Sequence, residues 1–107
     1  MLYVIRAVGT DWVKVGKANS PRRRLATLQT AIPIDLVLVA TADWPDEDER
    51  VMHGILLAHH IRGEWFKHCH LVDEIVDRMK SGAKSYTEEF RANNPVPHRL
   101  ARVMAIK

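Results

Sequence analysis

Cysteine is nearly missing from this 107-residue chain, with Cys69 as its single example. An internal disulfide is therefore excluded, and a reducing cytoplasm is the expected compartment. No apolar run is long enough to cross a bilayer. The opening residues also lack the charged-then-apolar pattern of a secretory leader, so no membrane partner is expected. There is no low-complexity segment and no internal repeat. A strong charge of one sign is missing too, since the formal net charge is only +3. That charge is unevenly placed. Residues 1–79 hold ten Lys and Arg against eleven Asp and Glu, whereas residues 80–107 hold six against two. A nearly neutral body with a basic tail suits a polyanionic partner.

The length supports one domain with a modest core. Leu2 to Val8 reads as a strand, Gly9-Thr10-Asp11 as a tight hairpin turn and Trp12 to Val15 as the return strand. Ser20 is a good helix N-cap and Pro21 suits the first helical position. A short helix to about Thr30 follows, with Leu25, Leu28 and Ile32 facing inward and Pro33 ending it. Ile34 to Ala42 is the most β-prone segment, and its succession Leu36-Val37-Leu38-Val39 is what a central buried strand would show. Asp46-Glu47-Asp48 place acidic groups in the first turn of a helix running to about His60. Val51, Met52, Ile55 and Leu56 form its apolar stripe. Leu71 to Met79 repeats apolar residues at helical spacing. The order ββαβαα predicts an α/β (α+β) fold, a small three-stranded antiparallel sheet flanked by helices over residues 1–80. A basic C-terminal extension over 81–107 would follow, with a short helix from Tyr86 to Asn93 and an amphipathic basic stretch from His98 to Met104. That stretch has three open readings: packing on the domain, an added helix, or an arm tracking a DNA backbone.

The chemistry concentrates first in Lys14-Val15-Gly16-Lys17-Ala18-Asn19-Ser20-Pro21-Arg22-Arg23-Arg24-Leu25. This stretch joins an extended run to a helix whose first turn carries three arginines. Backbone N–H groups at a helix start already favour anions, so a phosphate is the natural guest. Taken alone, the same stretch also fits a solvated basic turn. The histidines His59, His60, His68 and His70 with Cys69 invite a zinc reading. HH and HCH nevertheless lack the paired spacing of structural zinc sites, and surface or partly packed histidines are the expectation.

Leu2-Tyr3-Val4-Ile5, Lys14-Val15-Gly16-Lys17-Ala18, Arg24-Leu25, Glu49 with His53, and Gly63-Glu64-Trp65-Phe66 occur in one order along the chain. This ordered set resembles the GIY-YIG nuclease superfamily, and most nearly the short branch common in phages and prophages. The likeness covers about residues 1–80. It implies a metal-dependent endonuclease hydrolysing phosphodiester bonds in DNA, with RNA as an open alternative substrate. It also implies a site built from Tyr3, Lys14, Lys17, Arg24, Glu49 and His53. Tyr3 matches the tyrosine that would position or deprotonate the attacking water, a role that needs nearby positive charge because a free phenol titrates near pH 10. Arg24 matches the catalytic arginine, whose guanidinium can grip two phosphate oxygens. Glu49 matches the single metal-binding carboxylate, which would hold Mg²⁺ or Mn²⁺ weakly with waters and substrate phosphate completing the shell. His53, four residues on, shares the Glu49 face and would orient the carboxylate, touch phosphate or pack.

Two departures stand out. Lys14 occupies the place of the second motif's tyrosine, which leaves the general base open, and Leu28 stands where a histidine often follows the arginine. Glu47 and Asp48 are expected to serve only the helix dipole. Gly63-Glu64-Trp65-Phe66 is expected to be structural, with Trp65 and Phe66 closing the core and Glu64 hydrogen-bonded near the turn. Two other readings remain: a catalytically weak or inactive nucleic-acid-binding or protein-interaction module on the same fold, and a zinc-stabilised interaction module.

Overall fold

The computed structural model describes residues 1–86. Strands β1 (Leu2–Ala7) and β2 (Trp12–Lys17) form an antiparallel hairpin. Thr10 closes its turn by bonding the Ala7 carbonyl through both its backbone N–H and its hydroxyl. Helix α1 (Pro21–Ala31) follows, with the Ser20 hydroxyl accepting from the Arg23 N–H as an N-cap. Strand β3 (Leu36–Ala42) returns antiparallel to β1, and the Gln29 side chain pins the α1–β3 connection by bonding Ile32, Ile34 and Leu36 backbone groups. Helix α2 (Glu47–Ile55) stops earlier than the apolar stripe suggests and passes into a short 3₁₀ turn over Leu57–His59.

Two three-residue strands then add to the sheet: β4 (His60–Arg62) and β5 (Trp65–Lys67). The sheet therefore has five antiparallel strands in the order β3-β1-β2-β5-β4, which corrects the three-stranded expectation. Among the described residues the element order becomes ββαβαββα, ending with helix α3 (His70–Lys80). The extra hairpin comes from Gly63-Glu64, a two-residue turn whose first central position needs the positive φ of 55° that Gly63 supplies.

A second correction concerns strand order. Ile34–Ala42 was expected to be central, yet β3 lies at the sheet edge and Val37 is 48% exposed. The doubly buried strand is β1, whose Leu2, Tyr3, Val4 and Ile5 are all sealed from solvent. Leu2 and Val4, with Val13, Val15 and Phe66, face the larger core, which includes Met52 and Leu56 from α2 and its C-terminal flank, and Val72, Ile75 and Met79 from α3. Tyr3, Ile5 and Ala7 face the opposite way, against Leu25 and Leu28 of α1. Val51 drops out of the expected stripe and is exposed. Each fully buried aliphatic or aromatic side chain contributes roughly 1.5–3 kcal/mol, and the larger core supplies most of that.

At the far end, Trp44 packs edge-on against Tyr86, and the Tyr86 N–H donates to Asp48 Oδ2 at 3.0 Å. Asp48 is thus a buried anchor, a role beyond the helix dipole expected of it. Expectations for residues 87–107 lie outside the described residues. Among the described residues, no helix is long and apolar enough to cross a membrane.

Candidate functional site

The sheet places Tyr3 opposite Gly16 and Ile5 opposite Lys14, so Tyr3, Lys14 and Gly16 share one face. Strand β5 pairs with β2 only from Trp12 to Lys14. Beyond that point the edge of β2 is taken by two different partners. The Val15 N–H donates to the Glu64 carbonyl at 3.0 Å, and the Val15 carbonyl accepts from His53 Nε2 at 2.7 Å. Helix α2 is thereby tied to β2 where the strand ladder ends. One turn before His53, Glu49 reaches the same corner from the opposite side of the sheet to α1.

Gly16 shows how tight this corner is. A Cβ at that position would lie 2.6 Å from Glu64 Oε1, 2.7 Å from the Tyr3 hydroxyl and 2.9 Å from Tyr3 Cζ. Only glycine leaves room for the phenol and the carboxylate to approach the β2 backbone together. Lys14 Nζ holds the same Glu64 Oε1 at 2.8 Å, with the lysine side chain mostly buried. The Tyr3 hydroxyl and Glu49 Oε2 are both sealed from solvent without a well-formed hydrogen bond. Arg24 nonetheless approaches the phenol closely enough to favour its ionised form.

The charges are mutually dependent. Burial, followed by the neighbouring Glu64 carboxylate, raises the Glu49 pKa above the ordinary carboxylate value, against the pull of His53 and Lys17. Burial alone would raise Glu64 as well, but the Lys14 ammonium outweighs it, and Glu64 ends below the usual range. The Tyr3 phenol is pushed above its ordinary value by burial and then by Glu64, with Arg24 opposing. The positive charge beside the phenol comes from Arg24, while Lys14 is committed to Glu64. Burial and Glu64 thus favour the protonated phenol, and Arg24 the ionised one.

The six residues singled out from the sequence thus meet. Tyr3 is coupled to Arg24 and Glu49, Glu49 to His53 and Lys17, and Lys14 to the shared Glu64. They gather at a corner of the sheet with α1 on one side and α2 on the other. Arg22 and Arg23 stay exposed, while beside Arg24 a depression of about 280 Å³ opens along Ala18, Asn19, Ser20 and Thr27 at the start of α1. Glu64 is the member that sequence reasoning assigned to structure alone. The signal that marks it is the hairpin pattern Arg62-Gly63-Glu64-Trp65, which puts its carbonyl and its side chain on adjacent residues of β2.

A divalent cation has a limited set of donors here. Glu49 Oε2 lacks a partner and Glu64 lies against the same carboxylate, so a cation would relieve two facing negative charges. Among the described residues no group of three or more His, Cys, Asp or Glu is arranged to hold a metal. The histidine and cysteine cluster is also spread over separate contacts. His60 Nε2 bonds the Gly63 carbonyl at 2.8 Å, and His68 Nε2 bonds Asp73 Oδ1 at 2.9 Å. Compared with protein-family models, curated proteins and solved structures, the chain matches none.

Proposed function

We propose that this chain is a metal-dependent endonuclease of the GIY-YIG type, hydrolysing phosphodiester bonds in DNA. The observation carrying the reading is the electrostatic coupling of Tyr3, Arg24 and Glu49, residues picked by motif order on three separate elements. Arg24 is exposed at the start of α1, and its guanidinium, beside the Tyr3 phenol, suits two non-bridging oxygens as they gain charge. Tyr3, beside Arg24, would position or deprotonate the attacking water once substrate opens the corner. Lys17, also exposed, offers a second cation to the strand. Lys14 does not serve as the base, because it holds Glu64 in place. His53 is a positioning residue, fixing α2 to β2 through the Val15 carbonyl and so setting where Glu49 reaches.

Glu49 would hold Mg²⁺ or Mn²⁺ with Glu64 as its neighbour, waters and phosphate oxygens supplying the remaining ligands. Bound there, the ion would offset negative charge on the phosphate and the leaving oxygen. Such a site is weak and contributes little to folding.

The test is a cleavage screen of the full chain over plasmid, branched DNA, single strands and RNA, with Mg²⁺, Mn²⁺ or chelator. Metal-dependent cutting of DNA that disappears in a folded Glu49→Gln variant is the expected result. Cutting that survives chelation or that substitution would overturn the assignment. A folded wild-type chain that cuts nothing would favour a binding module on this fold.

A further inference from the structure

A cleft of about 570 Å³ lies on the sheet face that carries Tyr3 and Lys14, at the other end of β2. Its walls include Trp12, Trp65, Ile32, Ile34, Ile61 and Arg62. The volume is that of a ligand cleft. Trp12 and Ile61, both lining it, are each 44% exposed. The lining contains one cation and no acidic side chain. The cleft is also continuous with the candidate site through a single lysine: Lys14 Nζ stands 5.8 Å from the centre of the Trp65 ring while bonding Glu64.

We infer that this cleft seats unpaired bases of the DNA strand entering the candidate site, stacked on Trp12 and Trp65. The substrate is then a strand with a single-stranded or frayed stretch beside the scissile phosphate. Two indole faces suit bases of any sequence, Arg62 suits the adjoining phosphate, and paired bases would keep their faces inside the duplex. An acidic peptide would engage Arg62 alone and an apolar peptide the rings alone, whereas a nucleotide engages both. The position of the cut rests on the nuclease reading, whereas the binding claim does not.

The test measures fluorescence anisotropy of a labelled 12-nucleotide oligothymidine and of a 12-base-pair duplex, in chelator, on the full-length Glu49→Gln protein. The single strand should bind the more tightly. Adding Trp12→Ala should weaken single-strand binding by about tenfold or more, change duplex binding within about twofold, and be largely rescued by Trp12→Phe. A thermal melt checks each variant, and Trp12→Thr, with its β-branched side chain, carries the measurement if the alanine variant is not folded. Equal losses on both substrates, or none on either, would overturn the inference. So would a concentration-dependent dimer that Trp12→Ala abolishes while strand binding is unchanged, since a second copy would then occupy the cleft. Failure of the nuclease reading is seen separately, in the cleavage screen of the wild-type chain, and leaves this binding comparison decisive.

Discussion

The sheet face under α2 and α3 and the corner around Gly16 lie within one residue of each other along β1, yet they are built on opposite terms. Leu2 and Val4 point into an apolar cluster with Val15, Met52, Leu56, Phe66 and Ile75. Tyr3, between them, points to a corner where its hydroxyl and Glu49 Oε2 are sealed off without a good partner and two carboxylates face each other. Buried polar groups left unpaired, and like charges brought close, both oppose folding. The core therefore holds the chain in a shape that the corner by itself disfavours. Accumulation of strained polar chemistry in one place is a mark of a functional site.

The comparison breaks first in the core. Phe66 is buried, with the rings of His53 and His60 centred 5.1 and 5.4 Å from its own. Phe66→Ala should lose about 3–5 kcal/mol in denaturant unfolding, enough to unfold much of a small domain. Gly16→Ala sharpens the contrast from the other side. The added methyl collides with Tyr3 and Glu64, so unfolding should show a loss of about 1–3 kcal/mol, with cleavage suffering further because both side chains are displaced.

The smallest effect has the opposite sign. Glu49→Gln should raise the melting temperature of the metal-free protein at neutral pH. The Glu49 carboxyl binds its proton more tightly folded than unfolded, so its contribution favours folding at low pH and is lost as pH rises through its raised pKa. Glutamine stays neutral throughout. The gain over wild type should therefore shrink as pH falls into the carboxylate range, and differential scanning fluorimetry across pH would show it.

How much of this was legible in the sequence follows from the same contrast. Helix α1 announces itself through its Ser20-Pro21 cap, α3 through 3.6-residue spacing, and the β1–β2 hairpin through its Gly9 turn. Strands β4 and β5 do not, since three residues are too few to show alternation, and their pairing depends on where β2 presents an edge. The apolar run in β3 marks burial by neighbours without saying how many strands flank it, so an edge strand read as a central one. Motif order picked out six residues that the fold brings close together. Glu64 stood in the same motif order but read as structural, because its contact with Lys14, 50 residues away, appears only in the folded register. The direction of the Tyr3 shift was also out of reach, because its burial and the nearby Glu64 carboxylate exist only in the folded chain.

Arg24 offers the most direct test of the claim that this corner is a catalytic centre, because its exposed side chain can be removed with little effect on folding. Single-turnover cleavage by Arg24→Ala at saturating DNA, with Mg²⁺ present, separates transition-state contact from simple attraction. The rate should be lower than wild type by on the order of 10²-fold or more. An unchanged rate at saturation, with only the affinity weakened, would contradict it and leave Arg24 as one more surface cation.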